Sequence, residues 1–351
     1  MIDHAPDNFK YPSTRYSGSK RRLLPWIWQH IKKLKFDSVL DVFGGTASVS
    51  LMFKRFGKEV YYNDILKSNQ IIGRAIIENA NVKVTEKDIN SILDFSKRNY
   101  PNFIQSEFRR IFFRDKENEW LEKVIVNILR KRNEYKKAIL LASLFQACLA
   151  KRPFNLFHRA NLNIRTRRVN RSFGNKTTWE RPFDELLKRY ICEYNNAVFS
   201  NGKNNKVIGG YDALCAPNGV DLVYLDPPYF HIHSCHGTNY LTFYHFLEGL
   251  ANYKAWPSKI RNSKRKAKIV YDLKEINHFT NKEKLIDSFT NLLRRFENNI
   301  IILSYRTQGI PSKSEMRSIL RRLGKNVRIY EKPYKYALSK RRTKELLFVA
   351  T

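Results

Sequence analysis

Acidic residues are scarce in this chain: 32 Asp and Glu stand against 65 Lys and Arg, a formal charge of +33 at pH 7. A surplus of that size repels itself, so a neutralising polyanion is the expected partner, and nucleic acid leads. An anionic membrane surface would call for a basic amphipathic helix or a lipidation signal, and neither is found. The first residues lack the apolar stretch of a signal peptide. The longest mostly apolar run, AILLASLFQACLA at 138–150, is too short to span a bilayer and carries Ser143 and Gln146. It reads as a buried helix. Cysteine is rare, with Cys148, Cys192, Cys215 and Cys235 scattered and no CxxC spacing. That excludes a disulfide frame or a zinc ribbon and suits reduced thiols in a cytoplasmic protein. Internal repeats and low-complexity tracts are missing as well. What remains is 42% hydrophobic and 13% aromatic over 351 residues, enough to build a real core in one large domain or two ordinary ones.

Along the chain, RRLLPWIWQHIKKL (21–34) spaces its apolar residues as a helix does. FDSVLDVF (36–43) is a short apolar run ending in Gly44-Gly45-Thr46 and followed by the helical ASVSLMFKRFG. EVYYNDI (59–65), with an acid at its end, and KSNQIIGRAIIENA repeat the pattern. Two strand-turn-helix units in succession predict an α/β fold with a parallel sheet covered by helices. From about 85 to 205 the texture turns helical and then irregular and basic. KRPFNLFHRANLNIRTRRVNRSFGNKTTWERPF (151–183) sets nine Lys and Arg, with His158 besides, against the single acid Glu180. Strand patterns resume with DLVYLDPPYF (221–230) and NNIIILSYRTQGIP (298–311), and 325–350 reads as a closing hairpin. The expected organisation is therefore a core in two parts, 1–84 and 206–351, interrupted by a basic module at 85–205.

Asp226-Pro227-Pro228-Tyr229 is the sharpest motif. The exocyclic amino nitrogen of a base is a poor nucleophile because its lone pair is delocalised into the ring. Accepting hydrogen bonds from both amino hydrogens favours a pyramidal nitrogen, and the Asp226 carboxylate with the Pro227 carbonyl are suited to that. The two prolines fix φ and remove amide donors, so the carbonyls stay aimed. Tyr229 offers a flat face on which a base taken out of a duplex can stack. Asp41-Val42-Phe43-Gly44-Gly45 is the second motif, a glycine turn at a strand end where open sheets bind ligands. Asp41 suits an ammonium group, and Asp64, at the end of the next strand, suits ribose hydroxyls.

Tyr16-Ser17-Gly18-Ser19-Lys20, then DVFGG, a long variable segment and finally DPPY resemble the adenine-N6 DNA methyltransferases in the motif order of their alpha group. The resemblance covers about 15–80 and 205–350 and implies a Rossmann-like sheet that uses S-adenosylmethionine and releases S-adenosylhomocysteine. It places Tyr16 and Lys20 at the carboxylate end of the cofactor. Asp41, Phe43 and Gly45 become its binding loop, Asp64 the acid after the second strand, and Asp212 an acid near the cofactor adenine. Where the family loop has its last glycine, this chain has Ala47. By the same analogy 239–250 closes on the flipped base, and an aromatic at Ser304-Tyr305-Arg306 lies beside it.

The resemblance says little about the middle, but the basic residues and asparagines of 151–183 are the ingredients of a target-recognition module. Arg165, Arg167, Arg168, Arg171 and Lys176 are the candidate contacts to double-stranded DNA. A second basic patch at 259–274 is a candidate to track the backbone. His231, His233, Cys235 and His236 do not match a zinc module, and methyl transfer needs no metal, so a loop over the site is expected there. A cognate restriction endonuclease acting on the same site is a candidate partner. An RNA base methyltransferase and a silent DNA-binding protein with a methyltransferase shell are the competing readings. Cytosine N4 chemistry more often carries Ser where Asp226 stands.

Overall fold

The computed structural model describes residues 9–96, 99–167, 176–230, 239–260, 267–269, 278–334 and 343–351. Within them the strands are β1 (Ser38–Asp41), β2 (Glu59–Asn63), β3 (Lys206–Gly209), β4 (Leu222–Leu225), β5 (Ile300–Arg306), β6 (Val327–Tyr334) and β7 (Thr343–Ala350). They form one sheet in the order β3-β2-β1-β4-β5-β7-β6. The pairs linking β3, β2, β1, β4 and β5 are all parallel, whereas β7 runs antiparallel between β5 and β6. Every residue of β4 is buried, as expected of a central parallel strand covered on both faces.

Adjacent residues of a strand point to opposite faces, and each face has its own core. Val39 joins a core with Val60, Tyr62 and the helices that lie between β2 and β3. Leu40 joins the other, with Val223, Ile301 and residues of the helices Leu285–Arg295 and Lys313–Arg322. The predicted buried helix is Glu134–Ala150, apolar on all sides and buried throughout from Ala138 to Ala150. It packs on the helices Phe183–Asn196 and Lys67–Gly73. The helical middle of the chain therefore shares one continuous core with the sheet.

Two features position the site. Strand order reverses between β1 and β4, which places the carboxyl ends of two neighbouring parallel strands beside an open crevice. The helix Tyr240–Ala251 closes one side, because its buried Glu248 accepts from the Lys67 and Ser68 amides and so caps the helix Lys67–Gly73.

Candidate active site

Asp41 is the last residue of β1 and Asp226 follows β4 directly; the register pairs Asp41 with Tyr224. The two carboxylates thus open onto one cleft of about 1160 Å³, its open mouth included. Tyr16, Lys20, Phe43, Gly45, Asp64, Asp212 and Pro228 line it with them.

At one end the glycine turn is built for close approach. Gly45 adopts φ +52° and its amide donates to Asp64 Oδ2 at 2.8 Å, while Asp64 Oδ1 accepts from the Leu66 amide at 2.8 Å. Ala47, where the family has glycine, takes φ 58° and caps the helix Ser48–Arg55 in the left-handed conformation. Held in that conformation, the alanine costs about 1–2 kcal/mol of backbone strain. Asp41 is buried, with Oδ2 accepting from the Ser50 hydroxyl at 2.6 Å and Oδ1 meeting no partner among the described residues. Burial pushes the Asp41 carboxyl up to about 7 against the Ser50 hydrogen bond. Burial likewise raises Asp64 to about 6, opposed by the Leu66 and Gly45 amides. An orphaned buried carboxylate oxygen on a cleft wall is what a cationic amine would satisfy, so this wall suits an ammonium group. Asp212 Oδ1 accepts from the Leu214 amide, and Oδ2 lies 3.9 Å from His278 Nε2. Sequence reasoning missed His278, Phe279 and Thr280 on this wall, and also Ile65 and Tyr211, which are large apolar side chains left exposed at its edge.

The first motif is pinned residue by residue. The Ser17 amide donates to the Tyr244 hydroxyl at 2.7 Å, and Tyr16 stacks on Tyr244 with ring centroids 4.0 Å apart. Gly18 has φ +84°, and a Cβ there would lie 2.5 Å from the Tyr240 hydroxyl oxygen, so only glycine fits. Tyr240 stacks on Tyr16 and lines the cleft.

Lys20 does something the motif alone does not reveal. Its Nζ lies 2.7 Å from Asp226 Oδ1 and 3.3 Å from Glu345 Oε1. Burial pulls the Lys20 amine down, but Asp226 and Glu345 outweigh it and raise it above its ordinary value. Asp226 is raised by burial, with Lys20 opposing and Glu345 adding to the shift. Tyr229 points its hydroxyl at the same two carboxylates, 3.0 Å from Asp226 Oδ1 and 2.9 Å from Glu345 Oε1. Lys20 Nζ also stands 4.8 Å from the centre of the Tyr229 ring. Pro227 is buried, which holds the motif backbone rigid. Tyr305, expected beside a target base, instead lies fully buried with its ring edge-on to Tyr229 at 5.6 Å, because β5 turns it into the core behind the motif.

The basic module sorts into buried and exposed cations. Arg165 was expected to contact DNA, yet only 4% of it is exposed. Its guanidinium NH2 donates to Glu117 Oε1 at 2.5 Å, and Lys151 Nζ lies 2.9 Å from the same oxygen. That ion pair ties helix Asp115–Leu129 to the basic segment and removes Arg165 from the surface. Arg152 is fully buried and donates to the carbonyls of Leu156 and Arg159. Arg167 and Lys176 are exposed, with Lys176 only 3.9 Å from Glu180 as its nearest ion pair. Arg168 and Arg171 lie outside the described residues, as do His231, His233, Cys235 and His236 and most of the 259–274 patch.

Residues 16–319 match the D12 class N6 adenine-specific DNA methyltransferases. The chain belongs to that family. It is 29% identical to the type II methyltransferase M2.HphI of Haemophilus parahaemolyticus over 360 residues, 98% of each chain. Modification methylase StsI of Streptococcus sanguinis is 26% identical over 370 residues, 95% of this chain and 51% of that protein. The type II methyltransferase M.NlaIII of Neisseria lactamica is 25% identical over 327 residues, 88% of each. As a D12 methyltransferase, the chain is an enzyme that methylates adenine N6 in DNA, and its α/β sheet has the matching architecture. Among the described residues no helix is long and apolar enough to cross a membrane.

Proposed function

We propose that this D12 methyltransferase acts at one short sequence in double-stranded DNA, drawing the target adenine out of the stack and methylating N6 from S-adenosylmethionine. When bound, the cofactor would supply a methyl group activated on a sulfonium, with S-adenosylhomocysteine as the product. Asp41 would hold its ammonium group, Phe43 and Gly45 would form the close wall, and Asp64 and Asp212 would bind the ribose and adenine. Tyr16 and Lys20 border the methionine end.

One observation carries the reading: both described partners of Asp226, the Lys20 amine and the Tyr229 hydroxyl, engage Oδ1. The carboxylate is thereby oriented with Oδ2 available to the cleft, where it accepts one amino hydrogen of adenine while the Pro227 carbonyl accepts the other. Pyramidalised in this way, N6 attacks in line, and its surplus proton passes to Asp226. Pro228 lines the cleft, and Tyr229, half-buried behind it, is the aromatic assigned to the flipped base. Orientation and aimed acceptors supply most of the acceleration.

The recognition module spans 85–205, between the core parts 1–84 and 206–351. Among the described residues Arg167 and Lys176 are its candidate DNA contacts, and Arg168 and Arg171 complete the basic run in the sequence. The same reading places the chain in the cytoplasm beside a restriction endonuclease that acts separately on the same site; the relative named a modification methylase supports the modification role.

Transfer of labelled methyl to duplex DNA, single-stranded DNA and RNA of matched sequence tests this directly. Transfer to duplex adenine is expected, abolished in Asp226→Ala at nearly unchanged cofactor affinity. Retained turnover in that variant overturns the mechanism, and a preference for RNA overturns the substrate.

A further inference from the structure

Glu345 belongs to none of the motifs, yet it sits directly beneath the catalytic carboxylate. It stands on β7, fully buried, and is followed by a wholly apolar buried run from Leu346 to Ala350. Its Oε1 and Asp226 Oδ1 share two donors. Lys20 Nζ lies 3.3 and 2.7 Å from them, and the Tyr229 hydroxyl lies 2.9 and 3.0 Å. The four atoms close a ring of two donors and two acceptors. Two of the three ammonium hydrogens serve one oxygen each, and the single Tyr229 hydroxyl hydrogen is divided between the same two oxygens.

A buried carboxylate costs several kcal/mol to desolvate, so a shell that served only stability would do as well with an apolar residue. Without Glu345, Lys20 and Tyr229 would have Asp226 as their one carboxylate within this ring. Lys20 would then be free to close over both Asp226 oxygens, masking the one that must accept from N6.

We propose that Glu345 is a positioning residue for methyl transfer: by sharing Lys20 and Tyr229 it confines both to Oδ1 and leaves Oδ2 of Asp226 open to adenine. This rests on the role given above to Asp226. Other charged and titratable groups surround the ring. Tyr224 and Tyr240 feel Glu345 electrostatically, Arg306 on β5 and Lys332 on β6 are its register partners, and Asp41 feels Asp226. Removing the Glu345 charge withdraws one repulsion from Asp226 and leaves it a larger share of Lys20. Both changes favour its ionised form, so its titration moves to lower pH.

Two readouts on Glu345→Gln test the proposal. Single-turnover methyl transfer is expected to slow about 10- to 100-fold, with cofactor affinity changed by less than about threefold, and its acid limb is expected to shift to lower pH. Carbon-13 NMR of aspartate carboxyls, with Asp226→Asn giving the assignment, is expected to show the same downward shift without any turnover. Lost activity with an unmoved Asp226 titration would make Glu345 a mere support and overturn the proposal, as would a wild-type rate. If wild type transfers no methyl to adenine while the titration still shifts, the catalytic reading of Asp226 fails instead, and the positioning role falls with it.

Discussion

The Tyr62 ring lies flat against Gly44: a Cβ on that glycine would come within 2.1 Å of the ring Cε2. Gly73 presses on the other side of the same ring, with a built Cβ 2.6 Å from Cδ1, and the Tyr62 hydroxyl donates to the Gly45 carbonyl at 2.8 Å. The buried tyrosine is therefore the back wall of the glycine turn. Gly44→Ala is expected to cost about 1–3 kcal/mol by overpacking and to weaken cofactor binding, because the turn must move. Melting curves with and without S-adenosylmethionine check both effects. A variant that melts and binds like wild type would show that the loop has room the structure does not contain.

The raised Asp41 carboxyl makes the empty protein and the loaded protein respond oppositely to pH. Between the unfolded value near 3.8 and about 7, the folded state binds more protons than the unfolded chain, so stability of the empty protein falls as pH rises through that window. A bound ammonium needs the ionised form, so cofactor affinity rises over the same window. Asp41→Asn is expected to weaken both trends, leaving the part of the stability trend that Asp64, raised to about 6, contributes, and to raise the melting temperature of the empty protein at pH 8 while weakening S-adenosylmethionine binding. Melting and calorimetric titration between pH 5 and 8 separate the two.

Buried and exposed arginines of the basic module should part company in salt. Burial raises the Glu117 carboxyl, yet Arg165 and Lys151 outweigh it and hold it below its ordinary value. Arg165→Ala leaves Glu117 with Lys151, so a loss of about 1–3 kcal/mol of stability is expected, with little change in how DNA affinity depends on salt. Lys176→Ala should leave stability within about 0.5 kcal/mol and reduce the slope of log K against log salt by about one. If six or more phosphates are contacted, wild-type affinity falls about a thousandfold or more from 50 to 200 mM salt. A flat response would remove the phosphate contacts from the account.

Much of this was readable in the chain because the cofactor turn and the catalytic motif are contiguous and each follows a short apolar strand. Neighbouring parallel strands then bring Asp41 and Asp226 together without further instruction. The partners that decide which cations are spent inside were not readable. Lys54 looks like a surface residue of an amphipathic helix, but it is fully buried and donates to the carbonyls of Ile76, Ile77 and Asn79. Arg165 looks like its neighbours in a basic run until Glu117, 48 residues earlier, is folded against it. β3 is only four residues long and gave no clear pattern. Glu345 did leave a trace, since a lone acid inside KELLFVA breaks an apolar strand, and only a buried partner makes that tolerable.

The central claim is that Asp226 serves transfer of a methyl group to adenine in duplex DNA at a defined site. Expression in a bacterial host without DNA methylation of its own, followed by mapping of modified bases across the genome, tests it most directly. The account predicts N6-methyladenine at one recurring short sequence with the wild-type chain and none with Asp226→Ala. An unmodified genome, with the wild-type protein folded and binding its cofactor, would contradict it.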